Sequence, residues 1–339
     1  MLLSEFDFPF DASLIADHPV EPRDQARLLV LSRGGRGPLN RHVLDLPDLL
    51  SPGDLLVVND TKVVPARVFG RKRTMGGRVD ILFVKEVGAG LWEVLLKGGV
   101  RSGQVIDLGG ESQATVIERN RSKTTLRITG PVAVPELLRS VGVMPLPPYI
   151  KRRPEESDRQ WYQTIFARDE GAIAAPTAGL HLSERLFHAL RERGIHVAAV
   201  TLHVGPGTFQ PVRTSCIEEH RMGAERFEVS PRVAELVRQA KADGGRVVAV
   251  GTTVVRSLEA AADPRQVVKP LKGETEMFIV PGYRFQVVDA LITNFHLPRT
   301  TLLMLVSAFA GLEQLQEAYG LAVREKYRFY SYGDAMLIL

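Results

Sequence analysis

Five stretches place small polar residues or glycines directly after apolar, strand-like segments of the 339-residue sequence. They span residues 57–61, 174–181, 201–209, 218–225 and 249–253. In open α/β sheets and barrels, ligands bind at the carboxyl ends of strands. Each stretch is therefore a candidate for part of a binding or catalytic site.

The first two stretches allow a structural interpretation beside the functional one. Asn59, Asp60 and Thr61 either contribute to a site or form an Asx turn after their strand. Between Pro176 and His181, a loop of small residues leads into a helix, whose free N–H groups suit an anion. A lone histidine at a helix start is often a structural group, so both interpretations stay open here.

Glycines shape the third and fifth stretches. Gly205-Pro206-Gly207 permits a close approach of a ligand to the backbone that a side chain would prevent. It is neither a Walker loop, since no Gly-Lys-Ser/Thr follows, nor a dinucleotide fingerprint, since no G-x-G-x-x-G leads into a helix. Gly251-Thr252-Thr253 opens a helix and suits a carboxylate or phosphate, although a threonine-capped αβ unit has the same pattern.

Charged and aromatic residues add further candidates. His220 and Arg221 lie among carboxylates and form either an acid/base group or a solvated face. The segment 292–298 is again a strand that ends on an asparagine and a histidine. Tyr332 beside Asp334 suits a nucleobase or a sulfonium through stacking and cation–π attraction, or else belongs to the core.

A zinc site is the main alternative for the histidines. Three histidine or carboxylate ligands are enough for a catalytic zinc ion. The candidates that follow strands are His181, His203, His220 and His296, with Asp60 and Glu225. No H-E-x-x-H or comparable short spacing occurs, so we expect no metal.

Composition excludes several classes of protein. With 45% hydrophobic and 24% charged residues, the chain is neither disordered, collagenous nor a coiled coil. One cysteine excludes an intramolecular disulfide framework and a cysteine-rich metal site. The longest apolar run, residues 301–310, is about half of the ~20 residues that a membrane span needs, and predicts a buried helix. The N-terminus lacks the basic and apolar regions of a secretory signal, so we expect a soluble, cytoplasmic protein.

Charge is unevenly distributed along the chain. The net charge is +4, from 43 Lys and Arg against 39 Asp and Glu. Residues 62–153 carry 17 basic and 7 acidic residues, a net of +10, which leaves 4 − 10 = −6 for the remainder. Such asymmetry indicates that one part of the chain meets a polyanion, unless the basic face is simply solvated.

The pattern of strand and helix signals along the sequence predicts two domains. Residues 1–61 and 150–339 alternate strand and helix patterns, which favours an α/β core with a largely parallel sheet or a barrel-like arrangement. Residues 62–149 contain short strands separated by glycine pairs and end in a proline-rich segment. They predict a small antiparallel β-barrel inserted into the core.

In combination, nine stretches resemble the S-adenosylmethionine:tRNA ribosyltransferase-isomerase family of queuosine biosynthesis. They are EFDFPFDASLIADHPVEPRDQARLLVL, GDLLVVNDTKVVPARVFG, GVMPLPPYIKR, AIAAPTAGLHLSERL, TLHVGPGTFQPV, EEHRMGAERFEV, VAVGTTVVRSLE, PGYRFQVVDALITNFHLPRTTLLMLVSAFAG and YRFYSYGDAMLIL. Each is weak by itself, but nine in the right order cover the chain from end to end. One departure is Gly223, where the family pattern is similar to H-R-M-H-A-E, so no role of that histidine carries over.

The resemblance implies an α/β core with an inserted β-barrel, and a specific reaction. The ribosyl group of S-adenosylmethionine would be transferred and isomerised onto 7-aminomethyl-7-deazaguanine in the tRNA wobble position. The product would be epoxyqueuosine-tRNA, with adenine and methionine released. S-adenosylmethionine is then consumed as a substrate, with no cofactor and no metal. We expect a monomer that acts on tRNA and does not bind membranes.

This chemistry gives each candidate a role. The sulfonium acidifies the C5′ protons of the donor, so a base must remove one and an acid must help adenine leave. Our hypothesis makes His203 or His181 the base, with Asp60, His220 and Glu225 as partners. The residues expected to bind substrate are Asn59, Thr61, Pro176, Thr177, Gly179, Gly205, Gly207, Thr208, Arg221, Gly251, Thr252, Thr253, Asn294, His296, Tyr332 and Asp334. Those expected to bind tRNA are Arg71, Lys72, Arg73, Lys151, Arg152 and Arg153.

Other classes of function stay open at this point. A non-catalytic RNA-binding protein explains the basic insert but not the small-residue loops of the acidic remainder. A metal-dependent hydrolase explains the histidines. A methyltransferase shares the donor, but the usual glycine-rich first loop is missing from this sequence.

Overall fold

A computed structural model describes residues 1–35, 37–74, 76–120, 123–205, 207, 212 and 214–339. The strands are β1 (Arg27–Leu31), β2 (Leu39–His42), β3 (Leu55–Asn59), β4 (Thr61–Val63), β5 (Arg67–Lys72), β6 (Arg78–Gly88), β7 (Leu91–Lys97), β8 (Val105–Gly109), β9 (Ser112–Arg119), β10 (Thr124–Thr129), β11 (Asp169–Ala172), β12 (His196–Leu202), β13 (Glu225–Val229), β14 (Val247–Val250), β15 (Leu271–Thr275), β16 (Ala290–Asn294) and β17 (Ala335–Ile338). The helices are α1 (Leu46–Leu49), α2 (Val134–Val141), α3 (Asp158–Trp161), α4 (Glu184–Glu192), α5 (Pro231–Ala242), α6 (Thr252–Ala260), α7 (Thr301–Ala310) and α8 (Leu312–Arg324).

Within these residues, nine strands form one mixed sheet in the order β15-β13-β12-β3-β14-β16-β17-β1-β2. The centre, β12-β3-β14-β16, is parallel, whereas β2, β13 and β15 pair antiparallel with their neighbours, as do β16 and β17. The prediction of a largely parallel sheet therefore holds for the centre and is wrong for the flanks. The connection from β1 to β2 shows one reason, since seven residues are too few for a parallel crossover.

The centre of the sheet is buried on both faces, which explains its continuous apolar runs. Along β3, Leu55 and Val57 face one hydrophobic cluster, and Leu56 and Val58 face the other. The helices α5 to α8 contribute to the first cluster and α4 to the second. Because β3 has β12 on one side and β14 on the other, the strand order reverses at its carboxyl end, where ligands bind in such sheets.

Six strands close an antiparallel barrel in the order β10-β7-β6-β5-β8-β9. The predicted antiparallel barrel is confirmed, and it lies within residues 62–149. Its interior holds apolar side chains, and α2 packs on it through Leu137 and Leu138. The exact division into a core of 1–61 plus 150–339 and an inserted 62–149 stays a prediction.

Several predicted elements have different boundaries. The apolar pattern of residues 63–69 predicts one strand, which the structure breaks into β4 and β5 because Pro65 has no N–H to donate to a sheet. The sequence pattern also predicts a strand at 278–280, but that segment is irregular and β15 forms a few residues earlier. Residues 300–319, which continue the helical pattern in the sequence, belong to two helices separated at Gly311, whose φ of +89° ends α7. The buried helix predicted at 301–310 is confirmed as α7. In the part of the chain that the structure describes, no helix is long and apolar enough to cross a membrane.

Candidate functional site

A partly open cavity of about 60 Å³ lies at the carboxyl ends of the central strands. Its walls come from the ends of β14 and β16, the start of α6, the loop after β11 and the segment around Tyr330. Most of the lining is apolar, including Met222, Met277 and Phe278. Seven of the predicted substrate-binding residues line it, namely Pro176, Thr177, Gly251, Thr252, Thr253, Asn294 and His296.

Asn59 ties together the strands beneath this cavity. Its Nδ2 donates to the carbonyl of Leu202, at 3.0 Å, and to Oγ1 of Thr253, at 3.2 Å. Its Oδ1 accepts from the N–H groups of Thr61 and Leu202. The asparagine thus holds β3, β12 and α6 in register, and it lies behind Thr253 rather than in the cavity wall.

His296 is the histidine that lines the cavity. Its Nε2 lies 2.9 Å from Oγ1 of Thr293, and its backbone N–H donates to the hydroxyl of Tyr319. Burial lowers the pKa of His296 to about 3. The imidazole is therefore neutral at pH 7 and presents a dipole to the cavity, not a charge.

His181 lies outside the cavity wall, in a small neighbouring cavity of about 10 Å³. Nδ2 of Asn294 donates to its Nε2 at 3.1 Å. Burial, together with Arg328 and Arg23, lowers the pKa of His181 to about 4. His181, one of the two predicted bases, is therefore neutral at pH 7 and contacts Asn294.

His203 faces a second, polar opening. This cleft has a volume of about 480 Å³ and lies between β11 and the exposed faces of β12, β13 and β15. The Nδ1 of His203 lies 2.8 Å from Oγ1 of Thr61, and Gly171 leaves room for the ring. The structure therefore separates His203 from His181, which the sequence had treated as equivalent.

Asp60 is buried beside this cleft. Its Oδ1 accepts from the hydroxyl of Thr201 at 2.7 Å, and Oδ2 pairs with Arg168 at 2.8 Å. Burial is the main cause that raises the pKa of Asp60, opposed by the hydrogen bond from Thr201 and the charge of Arg168. Asp60 and Thr61 thus connect β3 to the cleft, while Asn59 connects it to the cavity.

Glu225 forms a buried ion pair with Arg256, and one of its oxygens accepts from the N–H of Gly205 at 2.9 Å. Arg256 lines the cavity, and sequence reasoning missed it. Arg256 could have been found from its position, because it lies four residues after Thr252 and therefore on the same face of the helix. Tyr149, Tyr330 and Ser331 line the cavity too. Sequence reasoning missed Tyr149, whereas Tyr330 and Ser331 belong to the candidate stretch 330–336, from which Tyr332 and Asp334 were chosen.

Several other predicted residues lie outside the cavity wall. His220 reaches its edge, with its ring 5.3 Å from that of Phe278. Arg221 and Gly223 are exposed. Gly179 packs against Phe166, and Gly205 and Gly207 follow His203 without lining the cavity or the cleft. Thr208 lies outside the described residues.

Two of the residues predicted to bind substrate, Tyr332 and Asp334, make structural contacts near the C-terminus. The Tyr332 hydroxyl donates to Asp158 at 2.9 Å. The two oxygens of Asp334 accept from the backbone N–H groups of Arg27 and Arg328. These contacts join β17 to β1 and to the preceding loop, because a buried carboxylate needs donors for both oxygens.

The predicted tRNA-binding residues differ in exposure. Arg71 and Arg73, at the end of β5, are exposed, as are Lys151 and Arg153. Lys72 is half-buried and donates to the carbonyl of Gly99.

Arg152 is committed to the fold. Its guanidinium binds both oxygens of buried Asp158 and the carbonyl of Asp17. The prediction of Arg152 as a phosphate contact therefore conflicts with the structural partners that hold its side chain.

The histidines were the candidates for a zinc site. Across the residues that the structure describes, no group of three or more His, Cys, Asp and Glu side chains is placed to hold a metal ion. His181, His203 and His296 each have a different neutral hydrogen-bond partner.

An α/β sheet with an inserted barrel, and a cavity at the switch point of the sheet, define a ligand-binding α/β protein. The family described as "Queuosine biosynthesis protein" matches residues 3–338. The S-adenosylmethionine:tRNA ribosyltransferase-isomerases of Moorella thermoacetica and Pelobacter propionicus are 51% and 50% identical, with 100% of each chain covered. The crystal structure of S-adenosylmethionine tRNA ribosyltransferase from Thermotoga maritima is 35% identical, covers 99% of this chain and 100% of its own, and has a TM-score of 0.57. The chain therefore belongs to the S-adenosylmethionine:tRNA ribosyltransferase-isomerase family of queuosine biosynthesis.

Proposed function

We propose that this chain transfers and isomerises the ribosyl group of S-adenosylmethionine onto 7-aminomethyl-7-deazaguanine in the tRNA wobble position. The products are epoxyqueuosine-tRNA, adenine and methionine. The observation that carries the proposal is the full-length match to enzymes of this name, at 51% identity for the Moorella thermoacetica protein.

The apolar cavity is the proposed site of the donor. Adenine and ribose are neutral groups, and a mostly apolar lining with a few polar contacts is suited to binding them. Thr252, Thr253, Asn294 and neutral His296 supply such contacts.

His203 is the proposed base. The next residue in the chain, Val204, lines the cavity, and His203 itself lines the cleft. Its Nδ1 is held by Thr61, and its Nε2 has no hydrogen-bond partner among the described residues. Burial lowers the pKa of His203, which keeps the ring neutral and able to accept a proton at pH 7.

Asp60, His220 and Glu225 are the proposed partners of the base. Asp60 contacts Thr201 at the rim of the cleft, and Glu225 holds Gly205 two residues after His203. We propose that neither a metal nor a cofactor takes part, that tRNA binds along the basic barrel, and that the protein works as a monomer in the cytoplasm.

A product assay tests the function. The protein is incubated with S-adenosylmethionine and an anticodon stem-loop that carries the aminomethyl-deazaguanine, with and without a chelator. We expect free adenine and a matching ribosyl-derived gain in RNA mass, both unchanged by the chelator. S-adenosylhomocysteine as the product would instead indicate a methyltransferase. Loss of activity with chelator would indicate a metal-dependent enzyme, and tight RNA binding without adenine would indicate a binding protein.

A further inference from the structure

Arg256 is the charged residue of the cavity wall. The other described residues that line the cavity are uncharged at pH 7, since His296 is neutral there. The guanidinium is 5% exposed and lies on α6, one turn after Thr252 and Thr253. Residues three and four apart share a helix face, so Arg256 and the first turn of α6 line the same side of the cavity.

The guanidinium retains donors that the fold does not use. Its Nε donates to the carbonyl of Met277 at 2.9 Å, Nη1 pairs with Glu225, and Nη2 reaches the carbonyl of Thr275 at 3.5 Å. An arginine carries five N–H groups, so two remain beyond these three contacts. The backbone N–H groups of Thr252 and Thr253, at the start of α6, also have no hydrogen-bond partner among the described residues.

We infer that Arg256 binds the α-carboxylate of the methionine part of the donor; this inference rests on the proposed function. The carboxylate is the only anionic group of S-adenosylmethionine, and a guanidinium matches it in charge and in planar geometry. The first turn of α6 adds N–H groups and the positive end of the helix dipole. Arg256 thereby fixes the end of the donor that is distant from adenine.

Glu225 forms an ion pair with this guanidinium and limits how many of its N–H groups a ligand can use. Because both side chains are buried, the carboxylate of Glu225 neutralises the charge of Arg256. A bound ligand carboxylate takes up the donors that Glu225 leaves free. Arg256 is therefore a specificity-determining residue that favours nucleosides with an amino-acid group.

The test compares two thioether nucleosides that differ in the amino-acid group alone. S-adenosylhomocysteine has it and 5′-methylthioadenosine lacks it, and neither carries a sulfonium. Affinities are measured by calorimetry for the wild type, Arg256→Gln and Arg256→Lys. We expect Arg256→Gln to weaken S-adenosylhomocysteine about 10- to 100-fold, the range for a hydrogen bond to a charged group, and 5′-methylthioadenosine less than about twofold. Arg256→Lys should recover part of the loss.

A second variant guards against misfolding, since Arg256→Gln leaves the buried Glu225 without its cation. The double variant Arg256→Gln with Glu225→Gln removes both charges and should show the same selective loss. Arg246→Gln is the matched control, because that arginine pairs with buried Asp54 at the opposite end of the sheet. Equal losses for both nucleosides in a folded variant would overturn the inference alone. A wild-type protein that binds neither nucleoside would overturn the proposed function as well.

Discussion

At the scale of the residue, burial sets the protonation of the site. His181 and His296 are fully enclosed, and the cost of burying a charge lowers their pKa values to about 4 and 3. His203 is half-buried, so its pKa is lowered by burial and by Arg226 and Lys272, while Asp169 opposes the shift. The three histidines look alike in the sequence, but His203 is the one whose free nitrogen faces an open cleft.

His203→Ala should therefore reduce turnover about 100-fold or more, which is the usual contribution of general acid–base catalysis. His188→Ala, at an exposed position of α4, is the control and should leave turnover unchanged. The measurement is kcat for adenine release under saturating donor and RNA. Wild-type turnover in His203→Ala would show that another group takes the proton.

The pH dependence of kcat should also show that His203 is the base. Because the pKa of His203 is below 6.5, the neutral base is lost only when pH falls through that lower value, so the acid limb of kcat lies below pH 6.5. Arg226→Gln removes a cation and should move this limb to higher pH. Glu228, Glu274 and Arg168 also line the cleft and stay in place in this variant. An acid limb that does not move would assign it to a different group.

At the scale of the element, β11 positions the imidazole of His203. A Cβ at Gly171 would lie 2.8 Å from Nδ1 and 2.9 Å from Cε1 of His203, closer than carbon contacts allow. Gly171 also has a φ of +153°, which side chains rarely adopt. The glycine is thus required by the ring opposite it.

Gly171→Ala should displace the ring and lower kcat about tenfold or more, with a smaller change in the affinity for the donor. Gly273→Ala is the matched control, since Gly273 also lines the cleft and a Cβ there meets no atom within 4 Å. Both variants are compared in kcat and in thermal stability. Equal activity of the two variants would show that the position of the ring does not limit the reaction.

At the scale of the whole molecule, the two proposed substrates bind to parts of opposite net charge, tRNA to the barrel region and S-adenosylmethionine to the core. The barrel region is strongly basic, and the remainder is acidic apart from isolated groups. Phosphate contacts dominate RNA affinity and weaken steeply with salt. The cleft lies near the barrel, because Arg139 of α2, the helix that packs on the barrel, pairs with Glu170 at the edge of the cleft.

Neutralising Arg71 and Arg73 by glutamine, or Lys151 and Arg153, should weaken tRNA binding and reduce its salt dependence while donor affinity is retained. Arg152 is left intact because it holds Asp158. The control replaces Arg232 and Arg238 of α5, on the acidic core. Binding is measured by filter retention at several salt concentrations. Unchanged tRNA affinity in both double variants would remove these residues from the RNA surface.

Part of this molecule was determined by local sequence. Apolar runs predicted the central strands, glycine pairs predicted the barrel, and the stretches after Asn59, Val250 and Asn294 marked one edge of the sheet. These predictions succeed because hydrophobic periodicity and turn-forming residues depend on only a few neighbouring positions. The motif of α6 even contains Arg256, although its role required a partner 31 residues away.

The tertiary structure decided which candidates meet. Residues 59, 60 and 61 are neighbours in the chain, yet Asn59 supports the cavity while Thr61 holds His203 in the cleft. Tyr332 and Asp334 share a motif with Tyr330, but only Tyr330 faces the cavity among these three. Successive residues of an extended chain point to opposite sides, and which side holds a cavity depends on strands far away in sequence. The sequence by itself thus determined the elements and the residue types of the site, and long-range packing determined their division between two openings.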